Sequence, residues 1–103
     1  MIRRHAAACA ALLGLAAPLA LAQDANLGRN LAATCANCHG TNGQARDLVP
    51  GLAGVPAANI VAAMAEFKAG TRSATIMHQI AKGYTDEQIR LLAAYFAAQP
   101  AKR

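Results

Sequence analysis

Cys35-Ala36-Asn37-Cys38-His39 sets two thiols three positions apart and an imidazole directly after them. Three chemistries use such a group. C-x-x-C-H is the covalent attachment signature for c-type haem. At the end of a helix, two cysteines at that separation reach the two vinyl groups on one side of a porphyrin. The next residue then presents its imidazole to the iron. A thiol–disulfide exchange pair also uses C-x-x-C, but after a strand and at the opening of a helix. Here the motif follows a helical stretch and runs into Gly40-Thr41-Asn42-Gly43. A structural zinc site needs four ligands, and Cys35, Cys38, His39 and His78 reach that number with only one spaced pair. The pentapeptide therefore favours one covalent haem c, held by thioethers at Cys35 and Cys38, with His39 as the proximal iron ligand.

A low-spin electron carrier needs a sixth iron ligand, and Met64, Met77 and His78 are the candidates. Met64 shares a helical stripe with Ile60 and Phe67, which reads as core filling. Met77 lies far enough past His39 for the chain to wrap a ring and return on its distal side, and it is the favoured ligand. His78 is the alternative, giving a bis-His site, and its plainer reading is a polar surface residue. His/Met ligation raises the reduction potential and closes the coordination sphere, which suits electron transfer over oxygen binding.

Four helical stretches are expected to position these groups. The first runs from about Ala25 to Ala36, with Asp24 as N-cap and Leu27 and Leu31 on one face. The stretch from His39 to Pro56 is rich in Gly, Asn and Pro and reads as loop. The second helix opens near Pro56 and closes at Gly70. The third is short, about Ala74 to Lys82, capped by Ser73 and ended by Gly83. The last begins at Thr85-Asp86-Glu87-Gln88, a capping box, buries Ile89, Leu92, Ala93 and Phe96, and stops at Pro100. The fold class is all-α, about four helices wrapped around one haem. Arg72 and Lys82 flank the Met77 segment, either as propionate or partner contacts or as solvated charge.

Composition bounds the rest. The chain has 103 residues, 55% apolar but only four aromatics, with no Trp and 15% charged residues. One domain fits that length, and an Ala-rich, β-branch-poor chain disfavours a sandwich or barrel. Residues 1–22 join Arg3 and Arg4 to an apolar run ending Ala20-Leu21-Ala22, the pattern of a cleaved signal peptide. Export to the periplasm is the expectation, leaving residues 23–103 as a monohaem domain with no membrane attachment. In that mature chain eight basic and five acidic side chains give a net +3, down from +5. The basic residues are dispersed, so nucleic-acid binding has no support. A domain of this size usually needs a staple, and a buried porphyrin would supply one.

On these residues the sequence resembles the class I c-type cytochromes of the short bacterial kind. The resemblance implies that Gly28 and Leu31 pack where the first helix crosses the last, near Tyr95 and Phe96. Pro50-Gly51-Leu52-Ala53-Gly54 is similar to the family's P-x-L-x-G segment. By that likeness the Pro50 carbonyl would orient His39 and Leu52 would lie against the haem face. The segment Ala74-Thr75-Ile76-Met77-His78-Gln79-Ile80-Ala81-Lys82-Gly83-Tyr84, with Phe67 to Arg72, resembles the haem subunit of flavocytochrome c sulfide dehydrogenase. That likeness implies a flavoprotein partner that oxidises sulfide and a second redox protein as electron acceptor. Family members often carry two haem domains; one C-x-x-C-H implies the single-haem form. A free-standing electron carrier is the alternative, and a haem-free thiol–disulfide exchange protein a more distant one.

Overall fold

The computed structural model describes residues 25–101, so the segment read as a signal peptide, Cys9 and the cap Asp24 lie outside the described residues. Within them the chain is helical and contains no strand. Helix α1 covers Leu27–Ala32, tightens into a 3₁₀ turn at Ala33–Cys35, and resumes as α2, Ala36–His39. Helix α3 is Ala57–Ala69, α4 is Met77–Ala81 and α5 is Asp86–Ala97. The architecture is the all-α one expected from the sequence, with α1 and α2 together standing for the first helix.

Two boundaries differ from expectation. The first helix starts at Leu27, with Asn26 at the cap position and no side-chain cap bond, and it is not continuous from Ala25 to Ala36. A tighter 3₁₀ turn changes the direction of the chain just before the cysteines, and an Ala-rich sequence gives no local signal for it. The third helix is a single turn, Met77–Ala81, and Ser73 does not cap it; Ile76 occupies the cap position without a side-chain bond. Isolated turns this short do not stand alone, so α4 depends on what it packs against.

Helices α1 and α3 both pack on α5, and α4 packs on α3. Gly28 makes the first of these crossings possible: a Cβ there would stand 2.8 Å from the Leu91 carbonyl oxygen. The buried core is Ala32, Ile60, Met64, Ala81, Ile89, Leu92, Ala93 and Phe96. Met64 is thus a core residue, in line with its stripe. Partly buried Leu31, Cys35, Leu52, Phe67, Met77, Tyr84 and Tyr95 pack against this cluster.

Helix α5 has the firmest start. Gln88 N–H donates to Thr85 Oγ1 at 3.1 Å and Thr85 N–H donates to Gln88 Oε1 at 2.9 Å, closing the capping box. Thr85→Ala removes one half of it and is expected to lower unfolding stability by about 1 kcal/mol. Denaturant titration of the holoprotein measures that loss, and an unchanged midpoint would show that the cap contributes nothing.

Candidate functional site

The two cysteines, the histidine and the residues that orient it lie on one continuous stretch, from the 3₁₀ turn at Cys35 through α2 to the loop that follows. Cys35 is half-buried and Cys38 exposed, both as free thiols. Three positions apart on a helical turn, they share one side of the chain. His39, half-buried, ends α2. Its Nδ1 lies 2.7 Å from the Pro50 carbonyl oxygen. A carbonyl only accepts, so Nδ1 carries the proton and donates. In the neutral ring that leaves Nε2 as the nitrogen with a free lone pair.

The loop that brings Pro50 to His39 is built on Gly43. The chain turns through Thr41–Gly43 with Asn42 at φ 54° and Gly43 at φ 76°. The buried Gly43 carbonyl accepts from Leu52 N–H at 2.8 Å and Ala53 N–H at 3.1 Å. Leu52, half-buried, is thereby held against the core cluster. Helix α5 and the residues just beyond it anchor the same loop at three further points. Tyr95 Oη donates to Asn42 Oδ1, Gly54 N–H donates to the Phe96 carbonyl at 2.9 Å, and Gln44 Nε2 donates to the Pro100 carbonyl at 3.0 Å.

Met77 opens α4, half-buried and packed against the core, with half-buried His78 beside it. The turn ahead of it is tied at one end by Arg72, whose Nε donates to Glu66 Oε2 at 2.7 Å while its guanidinium sits 5.5 Å from the Phe67 ring centre. Beyond α4, Lys68 Nζ donates to the Tyr84 carbonyl oxygen and lies 3.5 Å from Asp86 Oδ1. Lys82 is exposed. Neither the Lys68 clamp nor the Thr34 and Tyr95 side-chain bonds have any local sequence signal.

The competing chemistries fit less well. Burial pushes the Cys35 thiol up from its ordinary pKa, only partly offset by a hydrogen bond with the Thr34 side chain and by its own backbone. A thiol held in its protonated form is a poor nucleophile for disulfide exchange, which needs a lowered pKa. Among the described residues, no three His, Cys, Asp or Glu side chains gather as a cation site, so His78 does not complete a zinc set. The residues suit a porphyrin better. They offer two thiols on one turn, an imidazole locked in the tautomer that frees Nε2, and half-buried apolar side chains at Leu52 and Met77. No helix among the described residues is long and apolar enough to cross a membrane.

An all-α fold carrying C-x-x-C-H with an oriented histidine defines a class I c-type cytochrome. The chain belongs to the cytochrome c family: the family model Cytochrome c matches residues 25–99. Its cofactor is covalent haem c, for which Cys35 and Cys38 fit the attachment motif, and its work is electron transfer. It is 44% identical over 69 residues to the cytochrome subunit of sulfide dehydrogenase from Chlorobaculum tepidum, a match covering 67% of this chain and 63% of that protein. It is 35% identical over 82 residues to cytochrome c-554(548) of Halomonas halodenitrificans, covering 76% of this chain and 99% of that one. A third relative, the thiosulfate dehydrogenase electron acceptor of Stutzerimonas stutzeri, is 40% identical over 77 residues, covering 72% of this chain and 36% of that protein. The chain thus matches less than two thirds of the first relative's length.

Proposed function

We propose that this chain is an exported, periplasmic monohaem cytochrome that accepts electrons within a sulfide-oxidising flavocytochrome and passes them to a second redox protein. The observation that carries the reading is the 44% identity to the cytochrome subunit of sulfide dehydrogenase. The Arg-led apolar segment ending at Ala22 supports export, with residues 23–103 as the mature domain. The haem iron, when bound, supplies a one-electron couple.

The chain's own residues do the rest. Cys35, ending the 3₁₀ turn, and Cys38, within α2, would hold the haem covalently. His39 would ligate its iron through Nε2, with the Nδ1–H bond to Pro50 holding the imidazole in orientation. Leu52 would pack against the haem and exclude water from it. Met77 would supply the second iron ligand, a thioether, which favours reduced iron and a raised potential.

Two measurements test this. Met77→Ala is expected to abolish the weak long-wavelength sulfur-to-iron band of the oxidised protein; persistence of the band reassigns the ligand, His78 being the neighbouring candidate. Purification from the native periplasm is expected to bring with it a flavin-containing chain that reduces the haem when sulfide is added. A second reading, a free-standing carrier with the same iron ligands, is favoured by the near-complete match to cytochrome c-554(548). Recovery of the cytochrome alone, inert to sulfide, would select it.

A further inference from the structure

The half-buried Tyr84 joins three segments that are far apart in sequence. Its hydroxyl lies 2.7 Å from Thr34 Oγ1, fifty residues earlier and next to Cys35. Thr34 Oγ1 also donates to the Leu31 carbonyl at 3.4 Å, and either hydroxyl can donate in the Thr34–Tyr84 bond. The Tyr84 carbonyl accepts from Lys68 Nζ at the end of α3, and its N–H donates to the Ala81 carbonyl at the end of α4. Gly83 N–H, one residue before, donates to the Ile80 carbonyl at 3.0 Å. The connector therefore continues the winding of α4, and a shift of Tyr84 passes directly into that helix.

Helix α4 is a single turn with no side-chain cap at its start. Such a turn does not hold its own position. Its anchors are fully buried Ala81, the packing on α3, and the Tyr84 connector. We propose that Tyr84 is a positioning residue for Met77, its hydroxyl bond to Thr34 setting α4 relative to the Cys35 turn. This rests on the reading of Met77 as an iron ligand. Thioether bonds at Cys35 and Cys38 would fix one side of the site, and the Thr34–Tyr84 bond carries that fixed point across to the helix that bears Met77. Without it the Met77 end of α4 gains freedom, and the thioether is more easily displaced.

Imidazole titration of the oxidised holoprotein at neutral pH, following the long-wavelength band, reads this displacement. Tyr84→Phe is expected to tighten apparent imidazole binding about fivefold, the size of one lost hydrogen bond of about 1 kcal/mol. Thr34→Val is expected to match it, Thr34→Ser to behave as the parent, and the double variant to add nothing to either single change. The proposal is overturned if Tyr84→Phe lowers the unfolding midpoint yet titrates like the parent, or if the two changes add. Met77→Ala separates the two readings. Loss of the band there with a parent-like Tyr84→Phe titration sinks only the positioning role; retention of the band sinks both.

Discussion

Replacing Cys35 and Cys38 together with serine is expected to give an exported polypeptide of unmodified mass, without reduced α and β bands, and without a cooperative thermal transition above room temperature. The reason lies in the core. Among the described residues, the eight that are buried include three alanines and a single aromatic, and only Phe96 and Leu92 are large and fully enclosed. Once the conformational entropy of the chain has been opposed, a core of this size leaves a net stability of no more than about 3–5 kcal/mol. Thioethers at Cys35 and Cys38 would keep a large apolar disc beside the core cluster, so losing both would remove the staple and the cofactor at once. Mass spectrometry, a visible spectrum and thermal circular dichroism check the three parts. A double variant that still melted cooperatively near the parent temperature would show that the helices are self-sufficient.

Gly43→Ala is expected to cost about 3 kcal/mol, from about 1–2 for a side chain at left-handed φ and about 1–3 for overpacking. The backbone there sits at φ 76°, and an added Cβ would meet Ala53 N at 2.7 Å, Phe96 Cδ1 at 2.8 Å and Leu52 Cβ at 3.0 Å. Two of these are rigid backbone or core positions that cannot swing away. Relief would require lifting the loop from α5, and the same loop delivers Pro50 to His39. Two readouts should therefore move together: the denaturant midpoint and the haem absorption, through loss of the histidine's fixed orientation. Gly70→Ala is the control, because a Cβ at that equally left-handed residue meets nothing within 4 Å. It bears the backbone strain without the clash, so equal losses in the two variants would remove packing as the cause.

What the sequence made legible follows a physical division. Features set by bonds between near neighbours could be read directly. Thr85 and Gln88 announce their reciprocal cap, Gly70 closes α3 with its N–H on the Phe67 carbonyl, and the i, i+4 pair Ile60 and Met64 marks the buried stripe. The pentapeptide is legible because its spacing answers to covalent chemistry. The break between α1 and α2 is not, since alanine, threonine and cysteine tolerate a 3₁₀ turn and an α-turn alike. Nor is the brevity of α4, where helix-compatible residues from Ala74 onward are held non-helical as far as Ile76. The cross-links Thr34–Tyr84 and Asn42–Tyr95 span about fifty residues each and leave no periodic trace. Only the folded chain brings those side chains together.

The stitching of the 40–55 segment to α5 also constrains the order of events during biosynthesis. Asn42, Gln44 and Gly54 draw their partners from Tyr95, Pro100 and Phe96. Before those later residues are made, the stretch carrying His39 lacks these three tethers and keeps its local bonds to Pro50 and Gly43. An attachment step that precedes the docking of α5 would therefore meet a segment held less firmly than in the folded chain, and that docking would complete the closed geometry.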